Sequence, residues 1–206
     1  MAFETWLAFV ATSVALLVIP GPTILLVVSY ALGRGWKVAT PVSAGVALGD
    51  LTAMTLSMLG VGALLAGSAA LFTALKWVGA AYLVWLGVKL WRAGATLETE
   101  ARTETVAPGR MLAHAWLVTT LNPKSIVFFV AFLPQFLDPA RPFWPQMAIF
   151  EATFVTLAFA NAFGYALLAA RARRLATSRR AIRIVNRAGG TALIAAGAAA
   201  VTMRTA

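Results

Sequence analysis

Long uncharged apolar stretches alternate along this chain with short, mostly basic ones. No residue between Glu4 and Arg34 is charged, which leaves 29 neutral positions in a row. A helix needs about 20 apolar residues to cross roughly 30 Å of hydrocarbon, so this stretch can span even with a break inside it. A second span is predicted from about Val38 to Ala66, interrupted by the single charge of Asp50, and a third from about Ala69 to Trp91. Lys76 and Lys89 lie near the ends of that third span, where long side chains can snorkel. Residues 93–107 are polar, mixed in charge and without apolar periodicity, which predicts an exposed loop. A fourth span from about Met111 to Leu137 contains Lys124, and the clustered prolines of Asp138–Pro142 predict a turn. A fifth covers about Phe143 to Ala170 and contains Glu151; the last, alanine-rich, covers about Ala181 to Met203. The pattern therefore predicts an all-α integral membrane protein with six transmembrane helices.

Composition points the same way. Apolar residues make up 61 % and charged ones 12 %, where a soluble domain carries about 25 % charged. A soluble protein this apolar would expose large aggregating patches. The formal charge of +10 raises nucleic acid as a partner, but the basic residues sit in clusters between apolar runs, the pattern of a membrane face. The seven arginines between Arg171 and Arg187 have no aromatic residues among them, as stacking on single strands would require. Anionic lipid headgroups are the better partner. The first four residues carry no positive n-region and the apolar stretch after them is too long for a cleaved signal, so a mature first helix is expected. Thirteen Lys and Arg fall in the loops after helices 1, 3 and 5, against Lys76, Arg141 and Arg204 on the other side. The positive-inside rule then places the protein in the cytoplasmic membrane with both termini outside the cytoplasm.

The two halves echo one another at a fixed offset. Pro22 and Pro123 are 101 residues apart, as are Asp50 and Glu151, so each half carries an acid 28 residues after its proline. Lys76-x-x-Gly79 with Gly87 is mirrored, after a shift, by Asn186-x-x-Gly189 with Gly197. Each half holds three spans, an odd number, so the second must insert upside down. The expectation is one transporter domain over residues 1–206, built as two inverted three-helix repeats at about 1–92 and 108–206. In such folds the substrate site lies near the midplane at the repeat interface.

The residues with chemistry to offer sit at the matching positions. Pro20, Gly21 and Pro22 in succession should break helix 1, and Asn122 with Pro123 occupies the same place in helix 4. In lipid the freed backbone groups must bond within protein or line a polar cavity. The half-helix ends then offer partial charges to an α-carboxylate or an ammonium. The alternative is a plain kink, which the doubled proline and its echo in the second half disfavour. Asp50 and Glu151 are carboxyl groups at helix depth, where a charge costs roughly 2.5–3.5 kcal/mol even on insertion scales, so they are expected to face a cavity or one another. Such acids suit proton carriage; the alternative is that they fix packing. Lys124 either pairs with Asp50, attracts a substrate carboxylate, or marks an interface. Asn161 could bond substrate but more commonly would bond another helix. Gly45-x-x-x-Gly49 presents a small face for close helix approach. His114 is the one histidine and there is no cysteine, so neither a metal site nor nucleophilic catalysis has support, and no cofactor is implied.

With these motifs the chain resembles the LysE/RhtB superfamily of amino-acid exporters. The resemblance rests on Pro20-Gly21-Pro22, Gly45 to Gly49-Asp50, and the run from Lys76 to Leu83. In the second half it rests on Leu121-Asn122-Pro123-Lys124 with Phe128-Phe129, followed by Leu133-Pro134-Gln135-Phe136. It covers nearly the whole chain. It implies efflux of amino acids such as lysine, homoserine, threonine or leucine, coupled to proton entry, with Pro20, Gly21, Pro22, Asp50, Asn122, Pro123 and Lys124 at the family's motif positions. Glu151 is added from the repeat alone. A homodimer is a possible assembly. The alternatives are export of a metal cation or toxic organic ion, for which two acids and an asparagine are a thin ligand set, and a membrane-embedded enzyme, which would need a reactive constellation this chain lacks.

Overall fold

The computed structural model describes residues 2–67 and 107–172, with isolated helical positions between 77 and 92 and between 187 and 198. The third and last predicted spans and the 93–106 loop fall almost wholly outside the described residues. Among the described residues every regular element is helical. The stretch predicted as one broken span is two helices, α1 (Phe3–Val18) and α2 (Pro22–Arg34). Each proline forces the residue before it out of the helical region. Ile19, before Pro20, is extended at φ −72°, ψ 118°. Gly21, before Pro22, is extended at φ −123°, ψ −170°. Pro22 then occupies the first helical position of α2, where its missing N–H costs nothing and its fixed φ suits a new helix. The prolines thus begin a second helix rather than bend a continuing one.

Gly35, at φ 74°, adopts a conformation that only glycine takes freely. A 3₁₀ turn, Gly35–Val38, leads from it into α3 (Ala39–Gly67). The fourth predicted span is also divided, into α4 (Pro108–Thr120) and α5 (Pro123–Ala131), bent by 48° when α5 is taken with the 3₁₀ turn Leu133–Phe136 that follows it. The Asn122 side chain caps α5 by accepting the Lys124 N–H at 3.1 Å. Asp138–Pro142 forms the expected turn. There Asp138 accepts the Ala140 N–H and pairs with Arg141, while Gln146 holds the Asp138 backbone at both ends. The last described helix, α6, runs Phe143–Ala172.

Side-chain contacts fix the directions. Trp6 bonds Thr153, Asn161 reaches the Leu17 carbonyl and Tyr165 that of Val18, so α1 runs parallel to α6. Thr23 meets Thr119, Tyr30 meets His114 and Arg34 meets Met111, so α2 opposes α4. Gly45 lies against Leu112 and Ala115, and Gly49 against Trp116 and Thr119, so α3 runs with α4. The chain therefore turns back on itself at Gly35. By length and composition two stretches, Pro22–Gly60 and Phe143–Arg171, suffice to cross a membrane, with the bent pair Pro108–Phe136 as a third. The apolar side chains left exposed on α3, α4 and α6, Leu48, Leu56, Leu117 and Leu168 among them, suit a lipid solvent.

Two apolar cores flank the breaks. One is rich in aromatic rings: Phe9, Phe128, Phe129, Phe132, Phe150 and Phe154 pack with Met54 and Met58. The other is built of small or branched residues, including Val27, Ala31, Val42, Val46, Ala115, Ala162 and Ala166. In the second core Gly45 and Gly49 let α3 touch α4. A Cβ on Gly49 would lie 2.6 Å from Thr119 Cβ and 2.8 Å from the Trp116 carbonyl oxygen. Both neighbours belong to a packed helix, so neither can yield cheaply. Gly49→Ala is expected to destabilise the protein by about 1–3 kcal/mol through overpacking. Thermal unfolding in detergent is the check: an unchanged Tm would mean that α3 and α4 are free to separate.

Candidate functional site

A helix that ends inside a membrane leaves its last carbonyls without partners, and lipid offers none. Here side chains from two other helices supply them. The Lys124 Nζ donates to the carbonyls of Leu16 (3.0 Å) and Ile19 (2.8 Å). Asn161 Nδ2 donates to Leu17 (3.0 Å) and the Tyr165 hydroxyl to Val18 (2.7 Å). Four successive carbonyls at the end of α1 are therefore bonded, and the ammonium sits where the helix dipole is negative. Lys124 is 5 % exposed.

The opposite sign is placed at the start of α5. Asp50, on α3, is 2 % exposed and has Ser125 and Lys124 as its polar neighbours. It thus stands beside the first turn of α5, the positive end of that half-helix. Asn122 Nδ2 donates to the Thr23 hydroxyl at 3.0 Å, and the Thr119 hydroxyl lies 3.3 Å from the same oxygen. The break in the first half therefore touches the break in the second. Asp50 Oδ1 has no hydrogen-bond partner. Between these groups lies a cavity of about 20 Å³, bordered by Thr23, Asp50, Asn122, Lys124, Ser125 and Asn161 among others. That holds about one water and no amino acid, so the site is closed in this conformation.

Of the residues singled out from the sequence, Pro20, Gly21, Pro22, Asp50, Asn122, Pro123 and Lys124 converge here. A Cβ on Gly21 would rest at 3.5 Å from the Lys124 Nζ. Lys124 faces Asp50 but gives its hydrogen bonds to α1. Asn161 bonds another helix, as the commoner alternative has it, while also lining the cavity. Glu151 lies elsewhere. Its carboxyl is hydrogen-bonded to the Thr55 hydroxyl on α3 and lines a separate crevice of about 90 Å³ with Met58, Leu59, Trp144 and Met147. His114 bonds Tyr30 at 2.9 Å, and no group of three or more metal-ligating side chains occurs among the described residues. Sequence reasoning missed Thr23, Ser125 and Tyr165. The first two had a signal, being polar residues in the first turn after a helix-starting proline. Tyr165 follows Asn161 by four, which puts both on one helix face.

Apolar helices, two of them cut and meeting at their cuts around a buried acid and a buried amine, define a membrane translocator rather than a structural span. Comparison with known proteins gives the family. The LysE type translocator model matches residues 14–204. The chain is 37 % identical over 197 residues to an uncharacterized membrane protein of Vibrio cholerae, covering 96 % of each. It is 34 % identical over 198 residues to a homoserine/homoserine lactone efflux protein of Salmonella typhimurium, again covering 96 % of each. A leucine efflux protein of Salmonella choleraesuis is 36 % identical over 135 residues, which is 65 % of this chain and 64 % of that protein. No solved structure matches. The chain belongs to the LysE family of translocators, and it is a transporter, not an enzyme.

Lys124→Met keeps the length of the side chain and removes the cation. The Ile19 carbonyl then loses its donor and the Leu16 carbonyl keeps only the Ile19 N–H at 3.3 Å, at about 1–3 kcal/mol for an acceptor left unsatisfied. A lower Tm in detergent is expected, and an unchanged one would show that water replaces the ammonium.

Proposed function

We propose that this protein exports a small amino acid or a related zwitterion, with homoserine and leucine, named for its relatives, as the first candidates, in exchange for protons across the cytoplasmic membrane. The single observation that carries the reading is the meeting of the two helix breaks around Asp50 and Lys124, both buried. A zwitterion needs one anionic and one cationic receptor. Asp50 and the α1 carbonyls suit an ammonium; Lys124 and the first turns of α2 and α5 suit a carboxylate. Substrate entry requires the Lys124 bonds to α1 to open, since the present cavity admits only water. The aromatic core and the alanine-valine core lie on opposite sides of the site, and parting one at a time would give alternating access.

The same geometry supports the inverted-repeat plan. The broken pair α1–α2 and the broken pair α4–α5 run in opposite directions and cross at their breaks, as two copies related by inversion would. With the third helix of each half, this plan has six spans in one domain, basic loops in the cytoplasm and both termini outside. A metal cation is poorly served, because among the described residues Asp50 is the one acid lining this cavity.

Asp50 is the proton carrier in this reading, since a carboxyl group enclosed with a single partnerless oxygen can change charge only by gaining or losing a proton. Inside-out vesicles with an acidic lumen should accumulate labelled homoserine or leucine, and Asp50→Asn should abolish accumulation driven by the pH gradient. Wild-type rate and coupling in that variant would refute the proton role.

A further inference from the structure

We propose that Glu151 is a proton-binding site in its own right, in a crevice separate from the Asp50 cavity, exchanging its proton with water on the membrane face where α1 and α6 begin. The argument comes from three threonines that make the same bond. Thr52 gives its hydroxyl hydrogen to the Leu48 carbonyl four residues back, at 2.8 Å, and the Trp116 indole N–H lies 3.1 Å from the same hydroxyl oxygen. Thr153 gives its hydrogen to Ile149 at 2.7 Å, with the Trp6 indole N–H 3.2 Å from its oxygen. A hydroxyl has one hydrogen and an indole only donates, so in both cases the threonine donates backwards and accepts from the neighbouring helix.

Thr55 is the third case. Its hydroxyl lies 2.9 Å from the Leu51 carbonyl, and what approaches from the neighbouring helix is the Glu151 carboxyl. An ionised carboxylate only accepts, and would compete with Leu51 for one hydrogen. A protonated one donates, as the two indoles do, and both hydrogen bonds then form together. On protonation Glu151 takes one H⁺ from water and turns it toward Thr55, whose own hydrogen moves to the Leu51 carbonyl. On release the proton returns to water, and the Thr55 hydrogen swings to the carboxylate. Either way one proton is exchanged: the single hydrogen bond that clasps α3 to α6 reverses its direction, and the Thr55–Leu51 bond within α3 is made on protonation and given up on release.

Among the described residues the surroundings contain nothing else to balance the charge. From α3 the crevice receives Thr55, Met58 and Leu59, and from α6 Phe143, Trp144, Met147 and Ala148, none of them charged. On α1, the turn level with Glu151 carries Glu4, which is exposed and does not line the crevice; Arg141 and Asp138, before α6, pair with each other. Water can reach the site. Glu151 lies eight residues beyond Phe143, about 12 Å along a helix of about 45 Å, against a hydrocarbon core of roughly 30 Å. Trp144, which lines the crevice, stands in the first turn of α6, at the level where indole rings gather at a membrane–water interface.

Infrared difference spectra of the full chain in lipid nanodiscs, recorded against pH, read a protonated carboxyl directly. A titrating carboxyl band should persist in Asp50→Asn, disappear in Glu151→Gln and move in frequency in Thr55→Val. The glutamine amide donates to Thr55 as the protonated acid does, so this variant keeps the clasp and should fold. A Glu151→Gln spectrum identical to the wild type, or a band lost only with Asp50, would overturn the proposal. The spectra need neither substrate nor gradient, so they succeed or fail separately from the antiport reading.

Discussion

Two hydrogen bonds from one ammonium group, Lys124 to the carbonyls of Leu16 and Ile19, hold together what the prolines take apart. A cut helix in lipid exposes backbone oxygens that no solvent will satisfy, and at about 1–3 kcal/mol each such a cut would not persist unaided. The cation answers both the missing donors and the negative end of the α1 dipole. Its placement draws α5 against α1, which in turn brings Asn122 onto Thr23 and Ser125 toward Asp50. Asn161 and Tyr165 complete the cover from α6, so the end of α1 is bonded from two directions.

That arrangement leaves the charges poised rather than spent. Lys124 and Asp50 are neighbours, yet the ammonium bonds carbonyl oxygens and one oxygen of Asp50 has no partner. A tight ion pair would fill the site with its own interaction. Here the acid and the amine are each supported mainly by a helix terminus, and in the proposed reading a ligand bearing both signs replaces those supports. The asymmetry of the flanking cores adds to this. Interlocked phenylalanine rings on one side bury more area per residue than the alanines and valines on the other, so the two seals differ in what it takes to part them.

Much of this was legible in the residues. The spans about Asp50, Lys124 and Glu151, the turn at Asp138–Pro142 and the break at Pro20-Gly21-Pro22 follow from periodicity, length and the backbone geometry of proline. Family membership followed from motif order. Less legible was the mechanism of the breaks. A proline inside an apolar run reads as a kink, whereas Pro22 and Pro123 each stand at the first position of a fresh helix, a distinction set by the residue before it. The equal spacing of Asp50 and Glu151 likewise suggested two acids with one role. Folding put the first in a closed cavity at the breaks and the second in a half-open crevice against Thr55.

The sequence by itself determined the solvent of this protein, its helical class, where its helices are interrupted and which few residues carry charge through the apolar interior. Those properties depend on local composition and on φ restrictions that act within a few residues. Tertiary structure alone decided that Lys124 reaches α1 rather than Asp50, that Tyr165 and Asn161 cover the remaining carbonyls, and that Glu151 faces Thr55. Such pairings join positions 96 to 147 residues apart, and they depend on the direction, height and rotation of one helix against another, none of which is encoded in any single segment.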